Sequence, residues 1–73
     1  MGVFNVKMCV LLDLERTIIS GKAHYWKPNK MGYTTDIAAA GRYPESLANH
    51  IANDDIENKT VVIPQSLIDN IYK

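Results

Sequence analysis

Cys9, His24 and His50 carry most of the nucleophilic and metal-binding chemistry that these 73 residues can offer. A catalytic thiol would need a base such as His24 beside it, yet Cys9 stands inside an apolar strand pattern, where a thiol is ordinarily inert packing. A structural zinc site takes four Cys or His ligands, more than the chain holds. His50 lies among Ala48, Asn49 and Ile51 in a helical pattern and reads as a surface residue. Asp54 and Asp55 are adjacent carboxylates, but they lack the ligand spacing of a calcium loop and read as a solvated connection. No phosphate-cradling glycine loop, dinucleotide-binding glycine pattern or HExxH motif is present. The expectation is a protein that is not an enzyme and holds neither metal nor cofactor.

Binding chemistry is concentrated elsewhere. The stretch HYWKPNKMGYTTDIAAAGRY (residues 24–43) brings together four aromatic rings, three cationic side chains, a proline and two glycines. Its candidate binding residues are Trp26, Lys27, Asn29, Lys30, Tyr33, Thr34, Asp36 and Arg42. Trp and Arg dominate interface hot spots. A helix starting at Thr34–Asp36 would add an anion-attracting N-terminus. The competing reading is a structural corner, with Tyr25 and Trp26 in the core, Gly32 in a turn and Asn29 bonded to its own backbone.

The elements that must position these residues follow from periodicity and punctuation. Residues 3–12 alternate as a strand, with Val6, Met8 and Val10 on one side and Lys7, Cys9 and Leu11 on the other. Residues 13–16 (DLER) read as a turn, and residues 17–20 (TIIS) as a return to extended chain. Gly21 reads as a bulge or second turn. Residues 22–27 alternate again until Pro28, which cannot donate to a sheet. A short helix is expected from a Thr34 or Thr35 cap, with Asp36 in its first turn and Gly41 as its left-handed stop. A second helix spans 44–53, opened by Pro44 and striped by Leu47, Ala48, Ile51 and Ala52. A short strand at 60–63 stops at Pro64. A terminal helix over 66–72 carries Leu67, Ile68, Ile71 and Tyr72, with Ser66 and Asp69 at capping-box spacing. The fold class expected is α+β: one small domain over residues 1–73, a small antiparallel sheet with two or three short helices packed on one face.

Composition sets the remaining bounds. The chain is near the lower size limit for folding without staples, so burial of surface in a homo-oligomer is expected, the terminal helix being its contact. A single cysteine excludes an internal disulfide and fits a reducing cytoplasm. No apolar run approaches the ~20 residues of a membrane span. Lys7 and Asp13 bracket five apolar residues without a cleavage site, so no signal peptide is expected. The net charge of zero hides a division. Residues 1–30 hold five cations against two carboxylates, and residues 31–73 hold three against six. Without net positive charge, general nucleic-acid binding is disfavoured, because phosphate neutralisation supplies most non-specific affinity.

Residues 25–43 resemble a pattern found in small proteins of bacteriophages and prophages: aromatic–Trp–Arg/Lys–x–Asn–x–x–Gly–Tyr–Thr–x–Asp/Asn–Ile/Leu–x–x–Ala–Gly–x–Tyr/Phe. Trp26, Lys27, Asn29, Gly32, Tyr33, Thr34, Asp36, Ile37, Ala40, Gly41 and Tyr43 stand at its positions, and Pro44 replaces the Ser or Thr that usually caps the helix after it. The resemblance implies a phage-encoded protein acting in the host cytoplasm. Such a protein commonly works by occupying a host surface, so a host protein is the first partner expected, a defence system such as CRISPR being one case. Sequestration of a small anionic or nucleotide ligand between Trp26, Tyr33, Arg42 and Thr34–Asp36 is the alternative. Single-stranded nucleic acid stacked on Tyr25 and Trp26 is the third.

Overall fold

The computed structural model describes residues 7–71, and one strand organises them. β1 (Met8–Asp13) is paired on both edges. β5 (Thr60–Pro64) runs along one edge, from Cys9 opposite Pro64 to Asp13 opposite Thr60. Two short strands share the other edge end to end. β4 (Tyr43–Pro44) pairs with Met8 and Cys9, and β2 (Tyr25–Trp26) pairs with Leu12. β3 (Tyr33–Thr34) extends the sheet beyond β2, with Trp26 opposite Tyr33. Every pairing is antiparallel, as expected for the α+β class.

β1 holds this central place because both of its faces are apolar. Cys9, Val10 and Leu11 are consecutive and all at most 1% exposed. A strand covered on both sides reads as such a run, not as an alternation. Cys9 and Leu11 join Tyr43, Val62 and the helical residues Ala48 and Ile51 on one face. Val10 joins Tyr25, Ala40, Ile63 and Ile68 on the other. The helices divide accordingly: α2 (Glu45–Asp54) covers the first face and α3 (Gln65–Ile71) the second. The expected placement on a single face is thereby corrected, since a strand buried on both sides needs a cover on both.

Residues 13–20 also depart from expectation. The segment is a helix, α1 (Leu14–Ser20), not a turn and a strand. Asp13 is its N-cap, accepting from the Arg16 N–H at 3.1 Å, and the Thr17 hydroxyl donates back to the Asp13 carbonyl at 2.7 Å. Gly21, at φ +76°, closes it in the left-handed conformation that glycine adopts freely. The β-branched run Thr17–Ile18–Ile19 argued for a strand, but caps at both ends outweigh so small a local preference. None of α1 is buried, and Ile18 and Ile19 stay 71% and 79% exposed. The alternation read over 22–27 forms a ladder only at Tyr25–Trp26.

No helix starts at Thr34–Asp36. Tyr33 and Thr34 belong to β3, and residues 37–39 form a single turn. Asp36 takes up its local hydrogen-bonding groups: its N–H donates to the Thr34 hydroxyl at 3.1 Å, and its carboxylate accepts from the Ala38 N–H at 3.0 Å. Short polar side chains compete with helix formation in this way. Gly41 is not left-handed either. A Cβ there would lie 2.8 Å from the Pro28 Cα, so glycine is needed for space. Its N–H bonds the Trp26 carbonyl at 2.8 Å and draws residues 41–43 against the end of β2.

α2 lies one residue from the expected helix, with Pro44 as its N-cap. Ala48 and Ile51 are buried as the stripe predicts, whereas Leu47 is 45% exposed. α3 buries Ile68 alone; Leu67 and Ile71 face outward, and Asp69 is bonded by the Gln65 side chain at 2.8 Å. Residues 3–6 of the expected strand, and Tyr72, lie outside the described residues.

Candidate functional site

α2 covers only part of its face of the sheet. Beside it runs an open groove of about 920 Å³. Trp26 and Tyr43 form its floor with Ile51, while Leu47, His50 and Asp54 of α2 form one wall. The opposite wall is built from Tyr33, Arg16 and the turn at Pro28–Lys30.

A chain of ring and cation contacts joins the floor to the opposite wall. Trp26 and Tyr33 meet edge to face, their centroids 5.4 Å apart at 65°. The Arg16 guanidinium sits 4.2 Å from the Tyr33 centroid, a distance at which ring quadrupole and cation attract, and its Nε lies 3.5 Å from the Asp13 carboxylate. The Trp26 Nε1–H is buried and meets no acceptor among the described residues. A buried donor left unmet costs about 1–3 kcal/mol, so this floor is not optimised for stability alone.

The turn at Pro28–Lys30 is strained and held. Asn29 and Lys30 both have φ +58°, a left-handed conformation that Asn tolerates and Lys seldom adopts. Tyr43 fastens it from below: its hydroxyl donates to the Lys27 carbonyl and accepts from the Lys30 N–H at 3.1 Å. Lys30 is thus presented at the rim by a residue thirteen positions away.

Charge along the groove is segregated. α2 begins beside β4 at the start of β1, and the turn after it leads to Thr60, opposite Asp13 at the end of β1. Two cationic residues of the lining are tied to β4, and so to the first end: Arg42 immediately precedes it, and the Lys30 N–H is bonded to its Tyr43. Lys30 makes no ion pair among the described residues, and Arg42 donates only to neutral carbonyls, Ala40 at 2.7 Å and Ile37 at 3.2 Å. Asp13, Glu15, Asp54 and Asp55 stand at the second end against Arg16 and Lys59, four minus two, or a net charge of minus two with His50 neutral. Lys59 is shared between Glu15 and Glu57 at 2.9 Å each, which holds its ammonium above the ordinary lysine range, Glu15 contributing most. Asp55 is held below the ordinary carboxylate range, first by the Thr60 hydroxyl and then by the backbone N–H groups of Lys59 and Glu57.

Five of the eight binding residues expected from sequence come together here: Trp26, Asn29, Lys30, Tyr33 and Arg42. Lys27, Thr34 and Asp36 do not line the groove. Lys27 serves through its backbone, bonding Gly32 and Tyr43. Thr34 pairs with Tyr25, which belongs to the opposite face of the sheet, and Asp36 is spent on its own turn. The anion-binding helix start imagined at Thr34–Asp36 does not form.

Arg16, Asp13, Glu15 and Lys59 carry no local sequence signal, because chain folding unites them: Glu15 and Lys59 are 44 residues apart. Tyr43 stood in the recognised pattern without a role. Cys9 is core, its thiol pushed up by burial and by the Glu45 carboxylate. His24 is tied to the end of α1, its Nδ1 3.2 Å from the Ser20 hydroxyl. Among the described residues no group of three His, Cys, Asp or Glu could hold a metal ion, and no helix is long and apolar enough to cross a membrane. No family model, curated protein or solved structure matches the chain.

Proposed function

We propose that this chain is a binding protein whose groove along α2 docks a partner protein, and that it acts without catalysis. The observation that carries this reading is the aromatic and cationic lining: Trp26 of the floor in contact with Tyr33 of the wall, Arg16 over the Tyr33 ring, and Tyr43 beneath the rim. These are the residue types that anchor protein interfaces, set in a partly desolvated trough with charges around its edge. With the phage-type pattern of residues 25–43, the reading becomes a small phage-encoded protein of the host cytoplasm that modulates or inhibits host machinery, a defence system such as CRISPR being one case. Self-association through the outward side of α3 belongs to the same proposal.

A nucleotide or single-stranded nucleic acid is disfavoured by the acidic end of the groove and by the absence of a helix start at Thr34–Asp36. The test is retention from bacterial extract on the immobilised protein, with bound proteins and small molecules identified together. Wild type is expected to retain a protein in near-equal amount that Leu47→Asp, an exposed groove variant, releases. Recovery of a nucleotide, or of nucleic acid bound with a steep log-linear salt dependence, overturns the proposal.

A further inference from the structure

We infer that the groove reads charge at both of its ends, and that its occupant is an extended segment of a partner protein with acidic side chains at one end, basic ones at the other and an apolar middle. This rests on the groove being a protein-docking site and names the chemistry of what docks.

Three observations define that chemistry. Pro44, Leu47, His50, Ile51 and Asp54 line the groove along the whole of α2. Ten helical residues extend about 15 Å, the span of four or five residues of extended chain at about 3.3 Å each. At the cationic end neither Lys30 nor Arg42 makes an ion pair among the described residues. The other end carries excess carboxylate, and its one lysine is already divided between Glu15 and Glu57. At physiological salt the screening length is about 8 Å, about half the ~15 Å length of α2, so charges at its two ends each answer to their own nearest charge. A phosphate group matches one end only, whereas a bipolar segment matches both. Between them Trp26, Leu47 and Ile51 offer apolar surface.

Trp26 is the single tryptophan, so its emission reports occupancy of the groove directly. The experiment titrates the whole protein with blocked, tryptophan-free peptides that share one apolar middle and carry bipolar, all-acidic, all-basic or uncharged ends. The bipolar peptide is expected to bind tightest at low salt, by about three- to fivefold for each matched charge, the scale of an exposed ion pair. That advantage fades as salt rises. Lys30→Glu, at an exposed position, is expected to make the all-basic peptide the tightest, and Asp54→Lys the all-acidic one. Circular dichroism confirms that each variant is folded. Equal affinity for all four peptides, or ranking unchanged in both variants, overturns the inference while leaving a docking groove in place. If no peptide alters the emission, and it shifts instead with protein concentration alone, a second copy fills the groove. Both this inference and the docking of a foreign partner then fail. Tight quenching by a nucleotide that outcompetes every peptide fails both as well.

Discussion

The Tyr43 hydroxyl accepts from the backbone N–H of Lys30 at 3.1 Å and donates to the carbonyl of Lys27, so one side chain from β4 spans the base of a left-handed turn. Tyr43 is 5% exposed, so neither bond is readily replaced by water. Tyr43→Phe keeps the ring and removes both bonds. It is expected to cost about 1–3 kcal/mol in denaturant unfolding. Lys30→Gly works in the opposite direction: it removes the left-handed penalty of about 1 kcal/mol and is expected to raise stability while weakening partner binding. A Lys30→Gly protein that is less stable would show that the side chain, and not the groove's occupant, is what the turn is kept for.

α2 permits a sharper comparison. Ile51 is packed with Cys9, Leu11 and Tyr43, whereas Leu47, one turn earlier, is 45% exposed on the groove wall. Ile51→Ala is expected to cost about 2–5 kcal/mol, as truncations in a core do. Leu47→Ala is expected to cost less than about 1 kcal/mol and to act on binding instead. Equal losses in thermal unfolding would mean that Leu47 is covered in solution, as a groove filled by a second copy would require.

These two residues also mark how far the sequence could be read. Helical periodicity placed Leu47 and Ile51 on one stripe, and the helix is there. Periodicity could not say where the stripe's burial ends, because that is set by β2 and β3, which reach the same face from residues 26 and 33. The antiparallel class was legible because short extended patterns ended at Pro28 and Pro64. The two-sided core was legible in principle from Cys9–Val10–Leu11, an unbroken run that an alternating reading obscured. α1 was lost because its deciding features are two single-residue caps, Asp13 and Gly21, against three β-branched residues between them. The groove was half legible. Trp26, Asn29, Lys30, Tyr33 and Arg42 are close in sequence, whereas the acidic end is assembled by β1 and β5 from residues 13–16 and 54–60.

Self-association has its own test. α3 buries Ile68 but leaves Leu67 and Ile71 49% and 65% exposed. A helix of seven residues is too short to persist without docking. Sedimentation at micromolar concentration is expected to give more than monomer mass, falling to monomer in a Leu67→Glu, Ile71→Glu double variant. Monomer mass in wild type removes self-association from the proposal and leaves the groove untouched.

The acidic end of the groove is expected to loosen in acid through Asp55. Its carboxylate accepts from the Thr60 hydroxyl at 2.9 Å, the Lys59 N–H at 2.8 Å and the Glu57 N–H at 3.3 Å. Together these fix the turn that brings Lys59 to Glu15. They favour the ionised form, so the folded-state pKa lies below the ordinary aspartate value of about 3.9. A depressed carboxylate contributes stability that is fully present above the unfolded value and is lost as pH falls through the folded one. The informative quantity is the stability of wild type minus that of Asp55→Asn, followed by denaturant unfolding as pH is lowered. That difference is expected to be constant near neutrality, to shrink below about pH 4 and to approach zero once Asp55 is protonated in both states. A difference that persists unchanged into strong acid would show that the geometry of the turn, and not the charge of Asp55, supplies its contribution.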